Sequence, residues 1–134
     1  MDEQTILEAH VLCRKMFAAL TELQELTMEL ANALQRQDQV SVKLFLGMRR
    51  DALSQLTAHD EALRSKCAML PPSESDALRR ILNGQEGADT PSAQALERTV
   101  RQNRQLLAQI TSVDERINRR LGGKDSFYEK RTAR

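Results

Sequence analysis

The chain has 134 residues, 29% of them charged, and a formal net charge of +1. That length suits one domain, and the charge balance excludes both a disordered chain and a strongly basic nucleic-acid module. No apolar run approaches the roughly 20 residues of a membrane helix, and residues 1–13 show no signal-peptide pattern, so a cytoplasmic protein without membrane insertion is expected. Trp is absent, Tyr occurs once and Phe three times. Leu, Ala, Gln, Glu and Arg dominate instead, because straight-chain residues keep their rotamer freedom on a helix.

Residues 1–46 contain neither Gly nor Pro. Within them Ile6, Ala9, Cys13, Met16, Leu20, Leu23, Thr27, Leu30 and Leu34 recur at alternating spacings of three and four, a heptad seam that predicts one long helix. The polar stretch Gln35–Gln39 interrupts it, and Asp38 is placed to cap the next helix. The second helix carries Leu46, Arg49, Leu53, Leu56, Asp60, Leu63, Cys67 and Leu70 at the same spacing, with Val42 and Phe45 widening its apolar face, and Pro71-Pro72 ends it. Ser73 is read as the cap of a short helix with Leu78, Ile81 and Leu82 on its apolar side, closed by Asn83-Gly84.

After a loop at 85–90, Thr90-Pro91 starts a third long helix whose seam reads Leu96, Val100, Asn103, Leu107, Ile110, Asp114, Ile117 and Leu121; Gly122-Gly123 stops it. The expected fold is therefore all-α. It is an elongated antiparallel bundle over residues 1–123, made of a long helical hairpin, a short connecting helix and a third long helix, followed by a basic tail at 124–134 with the aromatic pair Phe127-Tyr128. Residues 1–35 hold 2 basic and 6 acidic groups, and residues 96–134 hold 10 basic and 5 acidic. The last helix is accordingly placed over the groove of the hairpin, beside the acidic first helix.

Chemistry-bearing motifs are sparse. His10 and Cys13 share a helix face, and the hairpin brings residue 10 close to residues 65–67, so a His/Cys zinc cluster is one alternative. Against it, Cys13 and Cys67 fall on apolar seams, where a free Cys packs as a small hydrophobe, and His59 lies about 12 Å along the helix from Cys67. No phosphate loop, nucleophile elbow or zinc-protease motif is present, so neither catalysis nor a cofactor is expected. Asn103 and Asp114 occupy seam positions, either setting register in a buried seam or lying open for a partner. The arginines at 98, 101, 104, 116, 119 and 120 are interleaved with Gln and Asn rather than aromatics, which argues against nucleic acid. Met1, Met16, Met28, Met48 and Met69 supply adaptable apolar surface where exposed.

The segments 31–38 (Ala-Asn-Ala-Leu-Gln-Arg-Gln-Asp) and 48–56 (Met-Arg-Arg-Asp-Ala-Leu-Ser-Gln-Leu), with the order of helices and the late Tyr128, resemble the FlgN-type flagellar type III export chaperones, with the FliT type close behind. The resemblance implies a cytoplasmic chaperone that binds the C-terminal amphipathic helix of hook–filament junction proteins, prevents their premature assembly and presents them to the export gate. The third long helix and the tail then carry cargo: Val100, Asn103, Leu107, Ile110, Val113, Asp114, Ile117, Leu121, Phe127 and Tyr128. Tyr128 resembles the late tyrosine used at the gate, although Glu129-Lys130-Arg131 follows it where family tails often have Gly. The alternatives are a structural helical-bundle oligomer such as a homodimer, in which the same seams pair with a second copy, and a small metal-binding bundle.

Overall fold

Three apolar rows on one helix set the architecture. In the computed structural model, which describes residues 2–85 and 87–121, the first helix, α1, spans Glu3–Gln35. Its buried residues are Ile6, Ala9, Cys13, Ala19, Leu20, Leu23, Leu26, Thr27, Leu30 and Ala33. They fall into three sets at heptad spacing: Ile6, Cys13, Leu20 and Thr27; Ala9, Leu23 and Leu30; and Ala19, Leu26 and Ala33. A seam of two rows serves one neighbour, whereas three rows make a face wide enough for two. The predicted α1 seam contains the first two rows, and the third lay outside it.

Two helices use that face. The helix α2, Gln39–Ala68, returns antiparallel to α1, and the Lys66–Glu8 ion pair at 2.8 Å records the register. The helix α4, Pro91–Leu121, runs parallel to α1: His10 meets Thr99 at 2.8 Å, and the Gln24 side-chain amide donates to that of Gln109 at 2.9 Å. Between them the short α3, Pro72–Leu82, carries the chain across the base of the bundle and touches both α2 and α4. The all-α expectation is met, with four helices and no strand among the described residues. None of these helices is long and apolar enough to cross a membrane.

The helix ends follow from local chemistry. Asp2 and Asp38 accept the amides of Thr5 and Ser41 at the starts of α1 and α2, at 2.8 and 3.1 Å. Hydrogen bonds to Ser41 hold the Asp38 carboxyl below its usual range. At the end of α1, Gln37 adopts φ 60° so that the amides of Gln37 and Asp38 close onto the carbonyls of Leu34 and Ala33, a left-handed stop taken without glycine. Ser73 is not the cap expected for α3. That helix starts with Pro72 at its first position and Pro71 before it, without a side-chain cap, since a proline there has no amide to leave unpaired.

As expected, α4 lies beside α1 and shares one apolar core with both helices of the hairpin, although its backbone stays close to that of α1 and approaches that of α2 at few points. One expectation is corrected: ion pairs do not fasten α4 to α1, because none joins them among the described residues. Hydrogen bonds and the apolar rows hold them instead. The Glu3–Ser92, His10–Thr99 and Asn103–Cys13 contacts supply the polar part.

Arg49 and Asp114, one polar residue from each of the α2 and α4 seams, are partners. Arg49, 2% exposed, donates through Nη2 to both carboxylate oxygens of Asp114 at 3.0 and 3.1 Å. This bridge ties α2 to α4 near the hairpin end. We expect Asp114→Asn to cost about 3 kcal/mol by taking the carboxylate from a buried guanidinium, measured by urea denaturation. The double variant Arg49→Met/Asp114→Leu should recover most of that loss.

Candidate functional site

A groove lined by α1, α2 and α4 opens toward the α3 end of the bundle. Met16 and Leu20 of α1 form the floor, Leu56 and Leu63 of α2 one wall, and Val100 and Leu107 of α4 the other. The resulting groove has a volume of about 770 Å³ and is closed at its lower end by Arg79, Leu82 and Asn83 of α3. Leu107 is 48% exposed here, although it stands on the α4 seam.

Polar groups punctuate this trough. Asn103, buried on the α4 wall, donates through Nδ2 to the Cys13 carbonyl at 3.0 Å, while its Oδ1 has no partner among the described residues. Asp60 accepts from Arg64 at 3.0 Å on the α2 rim. Burial, with a smaller contribution from the Asp60 carboxylate, pushes the Cys13 thiol up to about 12. Burial also raises the Cys67 thiol, partly offset by the Arg79 guanidinium that hydrogen-bonds it. Both cysteines are therefore thiols at neutral pH, apolar lining rather than nucleophiles or ligands.

His10 turns toward α4 and away from Cys67. Thr99 donates to the Ala95 carbonyl at 3.3 Å and so accepts from His10 Nε2. Among the described residues no group of three or more His, Cys, Asp or Glu is arranged to hold a metal ion, and the His/Cys cluster considered from the sequence is not assembled.

The residues expected to grip a partner divide into two sets. Val100, Ile110 and Ile117 are core, at 5%, 2% and 3% exposure; Asn103 and Asp114 are engaged with α1 and α2. Leu107 is exposed and Val113 half-buried. The α4 stripe thus does not form a free surface, because α1 already covers most of it. The Leu121 side chain, Phe127 and Tyr128 lie outside the described residues. The α2 and α3 walls, with Leu56, Asp60, Arg79 and Leu82, were not among the expected contacts. Their one sequence signal is that Asp60, like Arg49, breaks the apolar α2 seam.

No protein family matches the chain, and no curated protein or solved structure is similar to it.

Outside the groove, between α1 and α4, His10 is held below its ordinary value by burial and by the cations of Arg14 and Arg98. The unfolded chain takes up this proton near pH 6.5 while the folded protein resists it, so stability falls as pH drops from 6.5 toward the lowered folded value. In thermal melts, His10→Gln should flatten the fall between pH 6.5 and 5 relative to the parent. The carboxylates with lowered values, Asp2, Glu8 and Asp38, act only at more acidic pH.

Proposed function

We propose that this protein is an export chaperone of the flagellar type, which holds the C-terminal amphipathic helix of a hook–filament junction protein in the groove between α2 and α4. The observation that carries this is a bundle with one helix missing. Three long helices leave an apolar trough, floored by α1 and open along one side, and an amphipathic helix laid in it completes a four-helix cross-section. From Leu56 to Cys67 the trough runs about 16 Å along α2, or three helical turns. Holding the cargo helix there keeps it from pairing with other subunits, and delivery to the export gate follows as the chaperone's second task. The layout of helices that resembles the FlgN type adds to this reading.

The binding wall differs from the one expected from the sequence alone. A substitution at Ile110 would strike the core and unfold the bundle, whereas Leu107 is open to solvent. Titration calorimetry with C-terminal peptides of junction proteins should show binding to the parent. Leu107→Asp, with unchanged helix content, should lower the affinity about tenfold or more. Equal affinity in parent and variant removes the groove assignment.

A second reading, the helical-bundle oligomer, is favoured by one observation. Val40, Leu44 and Met48 stand every fourth residue along α2 and are 81%, 57% and 40% exposed, a line of apolar side chains left open among the described residues. If this ridge pairs two copies, sedimentation equilibrium gives a dimer that Leu44→Asp converts to monomer. A concentration-independent monomer excludes the oligomer.

A further inference from the structure

The groove is open along its length but stopped at one end. Helix α3 touches both α2 and α4, so a helix lying in the trough cannot run past it and must terminate or turn there. The side chains presented at that stop are Arg79 and Arg104. Neither guanidinium meets a carboxylate among the described residues, whereas Arg64 farther along the rim is paired with Asp60 at 3.0 Å.

The bland account of these two arginines is that they neutralise the carboxyl end of α3. The backbone already does that work. The amides of Asn83, Gly84 and Gln85 close onto the carbonyls of Arg79, Ile81 and Arg80 at 2.9, 3.0 and 3.0 Å, so the last turn of α3 leaves little for a guanidinium to satisfy. Arg104 passes close to the Gly84 backbone. Its Cδ and Nε lie 3.1 Å from where a Cβ on Gly84 would stand, and Gly84 itself has φ +84°. The glycine permits both the left-handed turn and the close passage of the arginine. Exposed guanidinium donors are thus gathered where an occupant helix must end.

Polarity decides which end that is. A helix N-terminus carries partial positive charge and unpaired amides, which two guanidiniums repel; a C-terminus carries partial negative charge and unpaired carbonyls, which they attract. When the chain also stops there, its α-carboxylate adds a full charge with the planar geometry that guanidinium donors match.

We propose that the groove recognises the free C-terminal carboxylate of its occupant, with Arg79 and Arg104 clamping that carboxylate against the end of α3. The inference rests on the groove's being the docking site, and it adds a direction and a chemical class. The occupant is an amphipathic helix that ends its own polypeptide, and it runs parallel to α2 and antiparallel to α4. A chain that continues beyond the helix, or an internal helix of similar apolar pattern, loses the clamp.

Fluorescence anisotropy with one fluorescein-labelled probe tests this: the C-terminal helix of a hook–filament junction protein, made as the free acid and as the C-terminal amide. With the parent protein the amide should bind about tenfold more weakly, the scale of a lost charge-assisted hydrogen bond. In Arg79→Gln/Arg104→Gln, whose exposed positions leave the fold intact by circular dichroism, the acid should lose its advantage over the amide, and the amide, which keeps only its helix-end carbonyls, should weaken far less than the acid. Leu107→Asp should weaken both forms. Equal binding of acid and amide by the parent, with both weakened by Leu107→Asp, overturns the carboxylate clamp and leaves the groove standing. Absence of binding by either form, or indifference of both to Leu107→Asp, overturns the groove and the clamp together.

Discussion

Everything in this fold leans on the width of the apolar face of α1. Leu23 and Leu30 run down its middle, flanked by Ile6, Cys13 and Leu20 on one side and Ala19, Leu26 and Ala33 on the other. The small residues in the outer row allow close approach, and the larger ones in the central row fill the space between neighbours. Two helices rest on that one face, and the backbones of α2 and α4 approach each other at few points. The groove is the geometric remainder of that arrangement, and its floor is apolar because α1 is apolar across more than one seam.

Polar groups then fix how α2 and α4 sit on that floor. The Asn103 amide reaches the Cys13 carbonyl, which sets the height of α4 against α1. Arg49 and Asp114 join α2 to α4, setting the spacing of the two walls at the opposite end from α3. A buried ion pair is weak evidence for stability but a good device for specifying one arrangement among several similar ones. Here it suits a bundle whose Leu-rich faces would otherwise slide.

Most of the architecture could be read from the chain. The α1 seam, the Asp38 cap, the Pro71-Pro72 break, the Asn83-Gly84 stop and the Pro91 start each rest on interactions between neighbours in sequence, and each is present. The groove was not legible, and the reason is physical. A heptad pattern states that a residue faces a neighbour without saying how many neighbours share the face, so Ala19, Leu26 and Ala33 carried information that a single seam does not express. Leu107 and Ile110 likewise looked equivalent on the α4 seam, yet Leu106 takes the inward position beside Ile110, leaving Leu107 at 48% exposure and Ile110 at 2%. Arg49 and Asp114 are 65 residues apart and become partners only once both helices have been laid on α1.

The Arg49–Asp114 bridge and α3 pin α2 and α4 together at opposite ends of the groove. A gap fixed at both ends behaves as a gauge rather than as a jaw, since its walls cannot swing apart to admit a wider object without breaking a contact at one end. On the helix-binding reading proposed above, such a site would sort by girth: a helix with bulky side chains all round is too thick to seat, while one narrow on its inner stripe reaches Met16 and Leu20.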